Sequence, residues 1–181
     1  MKVRKARLSD LARVLSIERA SFGPDSYTAA TFMAHVFRDR HGFFVAEAEA
    51  GEVVGYALVR LGLGWLGMRR GGVTSIAVDP GQRRSGVGRA LLGHALKYLR
   101  ENRVREADLE VGVNNRAGQS LYEAFGFRRH RVLPHYYGPN RDGLKMVADL
   151  SAALSINGSG VACAALADSA EAVGEQPTED E

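Results

Sequence analysis

Seven consecutive residues, Arg83-Arg84-Ser85-Gly86-Val87-Gly88-Arg89, carry the plainest chemistry in the sequence. Two glycines leave the backbone bare, three arginines bring fixed positive charge, and the apolar run that resumes at Ala90 and Leu91 reads as a helix opening here. The first amides of a helix lack intrahelical partners and carry a partial positive charge, so a loop of this kind is a ready anion site. A phosphate or pyrophosphate is the natural ligand. The usual nucleotide loops do not fit: position 91 is leucine, which breaks Gly-x-Gly-x-x-Gly, and no Gly-Lys-Ser/Thr follows.

The flanking pattern supplies the elements that must position this loop. Ile76-Ala77-Val78 is an apolar run ended by Asp79-Pro80-Gly81, where proline removes a backbone donor. After the loop, Leu91, Leu92, Ala95, Leu96 and Leu99 recur at helical spacing and predict a helix over about Val87 to Asn102. From Glu106 to Val113, Ala107 and Leu109 alternate with Asp108 and Glu110, which predicts a strand. Strand, loop, helix and strand make a parallel unit with a right-handed crossover, and its ligand belongs beyond the carboxyl end of the first strand.

Upstream, Val3 to Ala6 predicts a short edge strand, and Ser9-Asp10 caps a helix with Leu11, Val14, Leu15 and Ile17 on one face. Phe22 to Ser26 is a turn, after which Thr28 caps a second helix carrying Phe32, Met33, Val36 and Phe37, its aromatics expected in the core. Gly42 to Ala48 and Val53 to Leu61 form a hairpin around Glu49 to Glu52. Five glycines between Gly62 and Gly72 predict a mobile loop, on which Trp65 either faces a peptide or folds back on the sheet.

A chain of 181 residues, 45% hydrophobic and 25% charged, suffices for one domain with its own core, expected over residues 1–150. No apolar run reaches the length of a membrane span and no hydrophobic signal segment opens the sequence, so a soluble, cytoplasmic protein without membrane partners is expected. One cysteine, Cys163, excludes an internal disulfide and a cysteine-rich metal site, and no metal is expected. The net charge of +3 hides an asymmetry: all 24 Lys and Arg lie at or before Lys145, whereas the end of the chain carries only acids, from Asp168 to Glu181. Residues 151–181 are expected to be a flexible acidic tail, with at most a weak helix over about Ala162 to Ala172. The basic body suits a polyanionic cofactor; nucleic-acid binding would need a reader motif, and none is found. Oligomeric state is not set by any of these features.

The loop resembles the pyrophosphate-binding motif Gln/Arg-x-x-Gly-x-Gly/Ala of the GCN5-related N-acetyltransferases. A second set, Leu109-Glu110-Val111, Asn114-Asn115-Arg116-Ala117, Leu121-Tyr122-Glu123 and Phe125-Gly126-Phe127, follows in that family's order and spacing. The resemblance spans about residues 3–150 and is nearest to the branch acting on ribosomal-protein alanine and protein N-termini. It implies a single α/β domain with a central, mixed, mostly antiparallel sheet flanked by helices, and parallel strands splayed where the cofactor enters. It further implies that Ile76, Ala77 and Val78 offer backbone groups to acetyl-CoA, that Arg84, Ser85, Gly86, Val87, Gly88 and Arg89 cradle its pyrophosphate, and that Asn115 touches it. Glu110 matches that branch's general base and Tyr122 its general acid. By residue type alone, a strand carboxylate is a solvated face and a helical tyrosine is packing; it is the motif that gives them roles.

These types suit the reaction that the resemblance implies, direct acetyl transfer to an amine. An α-amino group with a pKa near 8 is about a tenth neutral at pH 7, whereas a lysine is below about 0.1% neutral, so an N-terminus asks roughly 3 kcal/mol less of the base. Tyr136-Tyr137, ahead of Gly138-Pro139, resembles the tyrosine pair lining that branch's peptide groove, with Asp142 and Met146 near its acidic and methionine positions. Against this, Arg141-Asp142-Gly143-Leu144-Lys145 departs from the branch pattern, and Gly112 replaces a larger residue and widens the site. A protein or peptide N-terminus is the expected acceptor. A small-molecule amine or lysine acetyltransferase and a non-catalytic acyl-CoA-binding regulatory module are the alternatives.

Overall fold

The computed structural model describes residues 1–37, 42–63 and 69–151. Its strands are β1 (Lys2–Lys5), β2 (Gly42–Glu47), β3 (Val53–Leu63), β4 (Arg69–Val78), β5 (Glu106–Gly112), β6 (Arg128–Leu133) and β7 (Gly143–Asp149), and its helices are α1 (Leu11–Phe22), α2 (Ala29–Phe37), α3 (Val87–Glu101) and α4 (Arg116–Glu123). The strands form a single sheet in the order β1-β2-β3-β4-β5-β7-β6. Every neighbouring pair is antiparallel except β4 and β5, the pair bridged by α3. The mixed, mostly antiparallel α/β sheet is the expected one.

Helices cover both faces because the strands alternate apolar residues on both. On one face Leu92, Ala95, Leu96 and Leu99 of α3 pack with Val59, Val73, Leu109, Val111, Met146 and, from α4, Tyr122. Each of those leucines is at most 1% exposed, and burying each is worth roughly 2 kcal/mol. On the other, Val14 and Ile17 of α1 and Phe32 of α2 meet Phe43, Val45, Tyr56 and Leu58.

The sheet opens at its parallel seam. β4 and β5 pair only over Gly71–Val73 and Ala107–Leu109. A Cβ on Gly72 would lie 2.3 Å from the Asp108 carbonyl oxygen, so the strands touch here because this position has no side chain. One residue later the register between β3 and β4 shifts: Leu58 faces Ser75 and Val59 faces Val73, leaving Thr74 as the extra residue of a bulge. Bulges bend a strand and increase its twist. Beyond this one β4 and β5 diverge, and the β5-facing edge of β4 from Thr74 to Val78 has no strand partner among the described residues.

The expected glycine loop over Gly62 to Gly72 is corrected here. β3 continues to Leu63 and β4 begins at Arg69, so Gly62, Gly71 and Gly72 are strand residues. Glycine at Gly71 and Gly72 serves close approach: a Cβ on Gly71 would meet Leu99 at 2.5 Å. Trp65, Gly64 and Gly67 lie outside the described residues, as do the acidic tail beyond Ser151 and its expected helix.

Candidate active site

The glycine- and arginine-rich loop follows directly from the open strand. Pro80–Gln82 forms a single tight turn, held by the Gly81 amide donating to Asp79 Oδ1 at 2.9 Å, and Ser85 Oγ donates to the Gln82 carbonyl at 2.6 Å. Gly86, the N-cap of α3, has φ +82°, a left-handed backbone in which glycine is unstrained. Arg84 is left-handed as well, at φ +62°, a conformation its residue type does not signal. Two left-handed residues in three turn the chain sharply into the helix and leave Arg84, Ser85, Gly86 and Arg89 exposed around its first amides. Val87 instead points into the core at 3% exposure, so only its backbone remains for a ligand.

The arginines do not all act alike. Arg89 sits over the Phe125 ring, 5.6 Å from its centroid. Arg83 turns back, its Nε donating to the Val78 carbonyl and a terminal nitrogen to Ser21 Oγ, each at 3.3 Å. The bare face of Gly88 packs rather than gaping, since a Cβ there would be 3.4 Å from Leu121. Of the three strand residues expected at the cofactor, Ile76 lines the neighbouring cavity, while the Ala77 side chain is buried and Val78 packs beside Ala57 and Leu91.

A cavity of about 490 Å³ fills the splay. Its floor is the bulge of β4, Val73 to Ile76, and the end of β5, Leu109 to Gly112, with Asn115 and Tyr122 beside them. Glu110 and Tyr122 therefore face one space. Pleating places Asp108, Glu110 and Gly112 on the face of β5 away from α3, and there a charge ladder crosses the sheet: Arg60 to Asp108 at 2.6 Å, Lys145 to Asp108 at 2.7 Å and to Glu110 at 3.7 Å. Burial would push Asp108 up, but the hydrogen bonds from Lys145 and Arg60 prevail and hold it below the usual carboxylate range. Lys145, a departure in sequence, is the residue in register with Glu110.

Tyr122 is 8% exposed, packs edge-on to Phe127, and burial pushes its phenol up to about 12. Its helix starts where Asn115 Oδ1 accepts the Gly118 amide at 2.9 Å; the same Asn115 lines the cavity, and its amide nitrogen is left to donate to a ligand. Gln119, 2% exposed, donates to the carbonyls of Gly112 and Val113 at 3.0 and 2.9 Å and accepts from Arg129 at 3.1 Å. This buried amide ties α4 to the end of β5, and with it the separation of Tyr122 from Glu110.

Two connections wall the cavity. The β6–β7 turn brings Tyr136 and Tyr137, whose rings meet at 4.8 Å, and is held by the His135 amide donating to Asp142. The α1–α2 connection brings Phe22, Asp25 and Tyr27. Arg141 grips both oxygens of Asp25 across the gap, joining the walls, and holds that carboxyl below its ordinary range. Burial, assisted by Glu110, pushes up the phenols of Tyr27, Tyr136 and Tyr137. A Cβ on Gly112 would meet nothing within 4 Å, so that position leaves the cavity open beside Glu110. Met146, by contrast, is wholly core.

Sequence reasoning missed Glu18, which lines the cavity at 1% exposure. Its signal was present: Val14, Ile17 and Glu18 share the buried stripe of α1, so a carboxylate stands where a helix of this kind places an apolar residue. It missed Asp25 and Gln119 as well.

A splayed parallel seam, a glycine- and arginine-rich loop at the following helix and a cavity lined by an acidic and a phenolic side chain mark the candidate site of this α/β domain. Residues 9–127 match the Acetyltransferase (GNAT) family, and the chain belongs to that family. It is 37% identical over 157 residues to an N-alpha-acetyltransferase of Sulfurisphaera tokodaii, covering 82% of this chain and 93% of that one. It is 29% identical over 138 residues to a putative ribosomal protein bS18 alanine N-acetyltransferase of Bacillus subtilis, covering 76% and 87%. The fold superposes on the ribosomal-protein-S18-alanine N-acetyltransferase of Escherichia coli with a TM-score of 0.71 at 25% identity, over 89% of this chain and 98% of that one. Among the described residues, no helix is long and apolar enough to cross a membrane, and no cluster of three or more His, Cys, Asp or Glu is placed to hold a metal ion.

Proposed function

We propose that this protein acetylates the α-amino group of a protein or peptide N-terminus with acetyl-CoA, the catalytic unit being residues 1–150. Acetyl-CoA supplies the activated acetyl thioester. Arg84 through Arg89 hold its pyrophosphate at the start of α3, and the unpaired edge of β4 from Thr74 to Val78 receives the arm leading to the thioester. The fit is supported by that vacant edge and by Thr74 Oγ1, buried and without a hydrogen-bond partner among the described residues. Glu110 takes a proton from the incoming ammonium, directly or through water, and Tyr122 returns one to the departing sulfur. Tyr27, Tyr136 and Tyr137 line the path of the acceptor, and the carboxylates of Glu18, Asp25 and Glu110 favour a cation there.

One observation carries this reading: the cavity of the splay is shared by Glu110, Tyr122 and the walls that bear Tyr27, Tyr136 and Tyr137. Turnover of acetyl-CoA over a library of peptide N-termini, beside free lysine, polyamines and aminoglycosides, tests it. Transfer to peptide α-amines is expected. Transfer confined to the small amines would replace the acceptor, and coenzyme A binding without any transfer would leave a regulatory module.

Two further outcomes are expected. With Tyr122 pushed up to about 12, its O–H keeps its proton throughout the working range, so loss of the acid begins only as pH approaches that value. A pH profile of kcat should accordingly show no phenol-dependent fall below about pH 11. Arg141→Ala unties the two walls; because the pair is exposed, a rise of about two- to threefold in KM for peptide is expected, with KM for acetyl-CoA unchanged. Steady-state kinetics with each substrate varied in turn separates the two.

A further inference from the structure

An α-ammonium group must lose two protons on its way to an amide, one before it attacks and one as the carbon–nitrogen bond forms. Glu110 accounts for one. The second has a route in the structure. Tyr56 in β3 is wholly buried, and its hydroxyl lies against Glu18 Oε2 on one side and 3.0 Å from Ser75 Oγ on the other. Ser75 follows the bulged Thr74 on β4 and lines the cavity. Glu18 Oε1 accepts the Tyr27 amide at 2.8 Å, and no Lys, Arg or His forms an ion pair with Glu18 among the described residues.

The direction of this chain follows from its chemistry. An ionised carboxylate only accepts, so the one proton of Tyr56 points at Glu18. The Tyr56 oxygen is then the acceptor for Ser75, whose own proton points inward and whose lone pairs are left to the cavity. Every hydrogen bond thus runs from the reacting space toward the carboxylate. Glu18 is also shielded from water that would otherwise take the proton, being 1% exposed.

We propose that Ser75, Tyr56 and Glu18 form a one-way proton relay that draws the second proton of the acceptor amine from the reaction site to a buried carboxylate. It rests on the acetyl-transfer reading above. As the nitrogen–carbon bond forms and the carbon–sulfur bond breaks, Ser75 Oγ receives the N–H proton, passes its own to Tyr56, and Tyr56 passes its own to Glu18. Both hydroxyls end neutral and Glu18 ends as a carboxylic acid. Tyr122 gives its proton to the sulfur; with Glu110 and Glu18 each one proton richer, resetting the site releases one net proton to solvent. Burial pushes Glu18 up against the opposing hydrogen bonds of Tyr56 and Tyr27, which strengthens it as a terminal acceptor. The groups facing it are the phenols of Tyr27 and Tyr56; across the cavity stand Glu110, Asp25, Arg141, Tyr136 and Tyr137. Ser75 touches the reacting nitrogen, and Tyr56 and Glu18 act through it.

The test compares Tyr56→Phe, Ser75→Ala, Ser75→Thr and Glu18→Gln with the parent protein. Tyr56→Phe keeps the ring that packs against Phe32 and Phe43, and Ser75→Thr keeps the hydroxyl in a residue suited to a strand. The relay predicts kcat lowered at least about tenfold in Tyr56→Phe, Ser75→Ala and Glu18→Gln, near-parental kcat in Ser75→Thr, and KM for acetyl-CoA within about twofold throughout. It also fixes the sign of the stability change. A carboxyl raised by burial folds most favourably when protonated, and that stability is lost as pH rises through its folded value, so Glu18→Gln is expected to keep or raise the urea midpoint at neutral pH. A structural role predicts the reverse, a lowered midpoint with kcat preserved. A parent that acetylates peptides while Tyr56→Phe and Ser75→Ala keep its kcat overturns the relay alone; a parent that acetylates no amine overturns the relay together with the functional reading.

Discussion

Glu110→Gln is expected to lower kcat for N-terminal acetylation about 100-fold or more, some 2.7 kcal/mol of barrier, while coenzyme A binds with about its original affinity. Glutamine has the same shape but cannot accept a proton from the ammonium, so the change removes one chemical capacity and little else. The surroundings tolerate it. Lys145 keeps its 2.7 Å contact to Asp108, which Arg60 also holds, and the contact given up is a 3.7 Å one. A fall in kcat with unchanged calorimetric affinity for coenzyme A would set Glu110 apart from residues that shape the cofactor site. Retention of kcat within about threefold would remove Glu110 as the base and leave proton uptake to solvent or to the Glu18 side.

Gly72→Ala is expected to cost about 3 kcal/mol or more of stability and to abolish activity under conditions where the parent is folded. The added carbon would lie 2.3 Å from the Asp108 carbonyl oxygen, 2.6 Å from its side chain and 3.0 Å from an Arg60 nitrogen. The carbonyl belongs to the facing backbone and cannot rotate aside, so β4 and β5 must separate where they are joined over only three residue pairs. Because Asp108 is also the centre of the charge ladder, the same displacement draws Arg60, which stays with β4 through β3, away from Asp108, while Lys145 stays with β5 through β7. Urea unfolding reads the stability, and circular dichroism beside kinetics at low temperature shows whether the folded fraction remains inactive. Gly62→Ala is the control: the nearest atom to its Cβ is at 4.0 Å.

Both outcomes turn on contacts between segments distant in sequence, and that marks what could be read early. The sequence by itself determined the secondary structure around the crossover, because the apolar period of α3 and the alternation of β5 are local patterns that only one packing satisfies. It determined the turn and glycine loop that open α3 too: a proline stop, glycines and a helix start within ten residues are local chemistry. The motif through Glu110, Asn115 and Tyr122 was legible only as a family resemblance, because by type alone these residues read as a solvated face and as packing.

What only the tertiary structure decided was set across the sheet. Glycines at Gly71 and Gly72 read as loop punctuation because sequence shows the missing side chain but not the strand that occupies its space. The bulge at Thr74 depends on the register of β4 with β3, and the splay beside it on where the pairing of β4 with β5 ends. The stripe of α1 showed a carboxylate at Glu18 but not the Tyr56 hydroxyl and Tyr27 amide that meet it, and Arg141 looked like a departure until Asp25 was found 116 residues away. Local periodicity is fixed by backbone geometry within a few residues, whereas the partner of a buried charge is fixed by the register of strands far apart in the chain. A single sequence records the first directly and the second only through the fold.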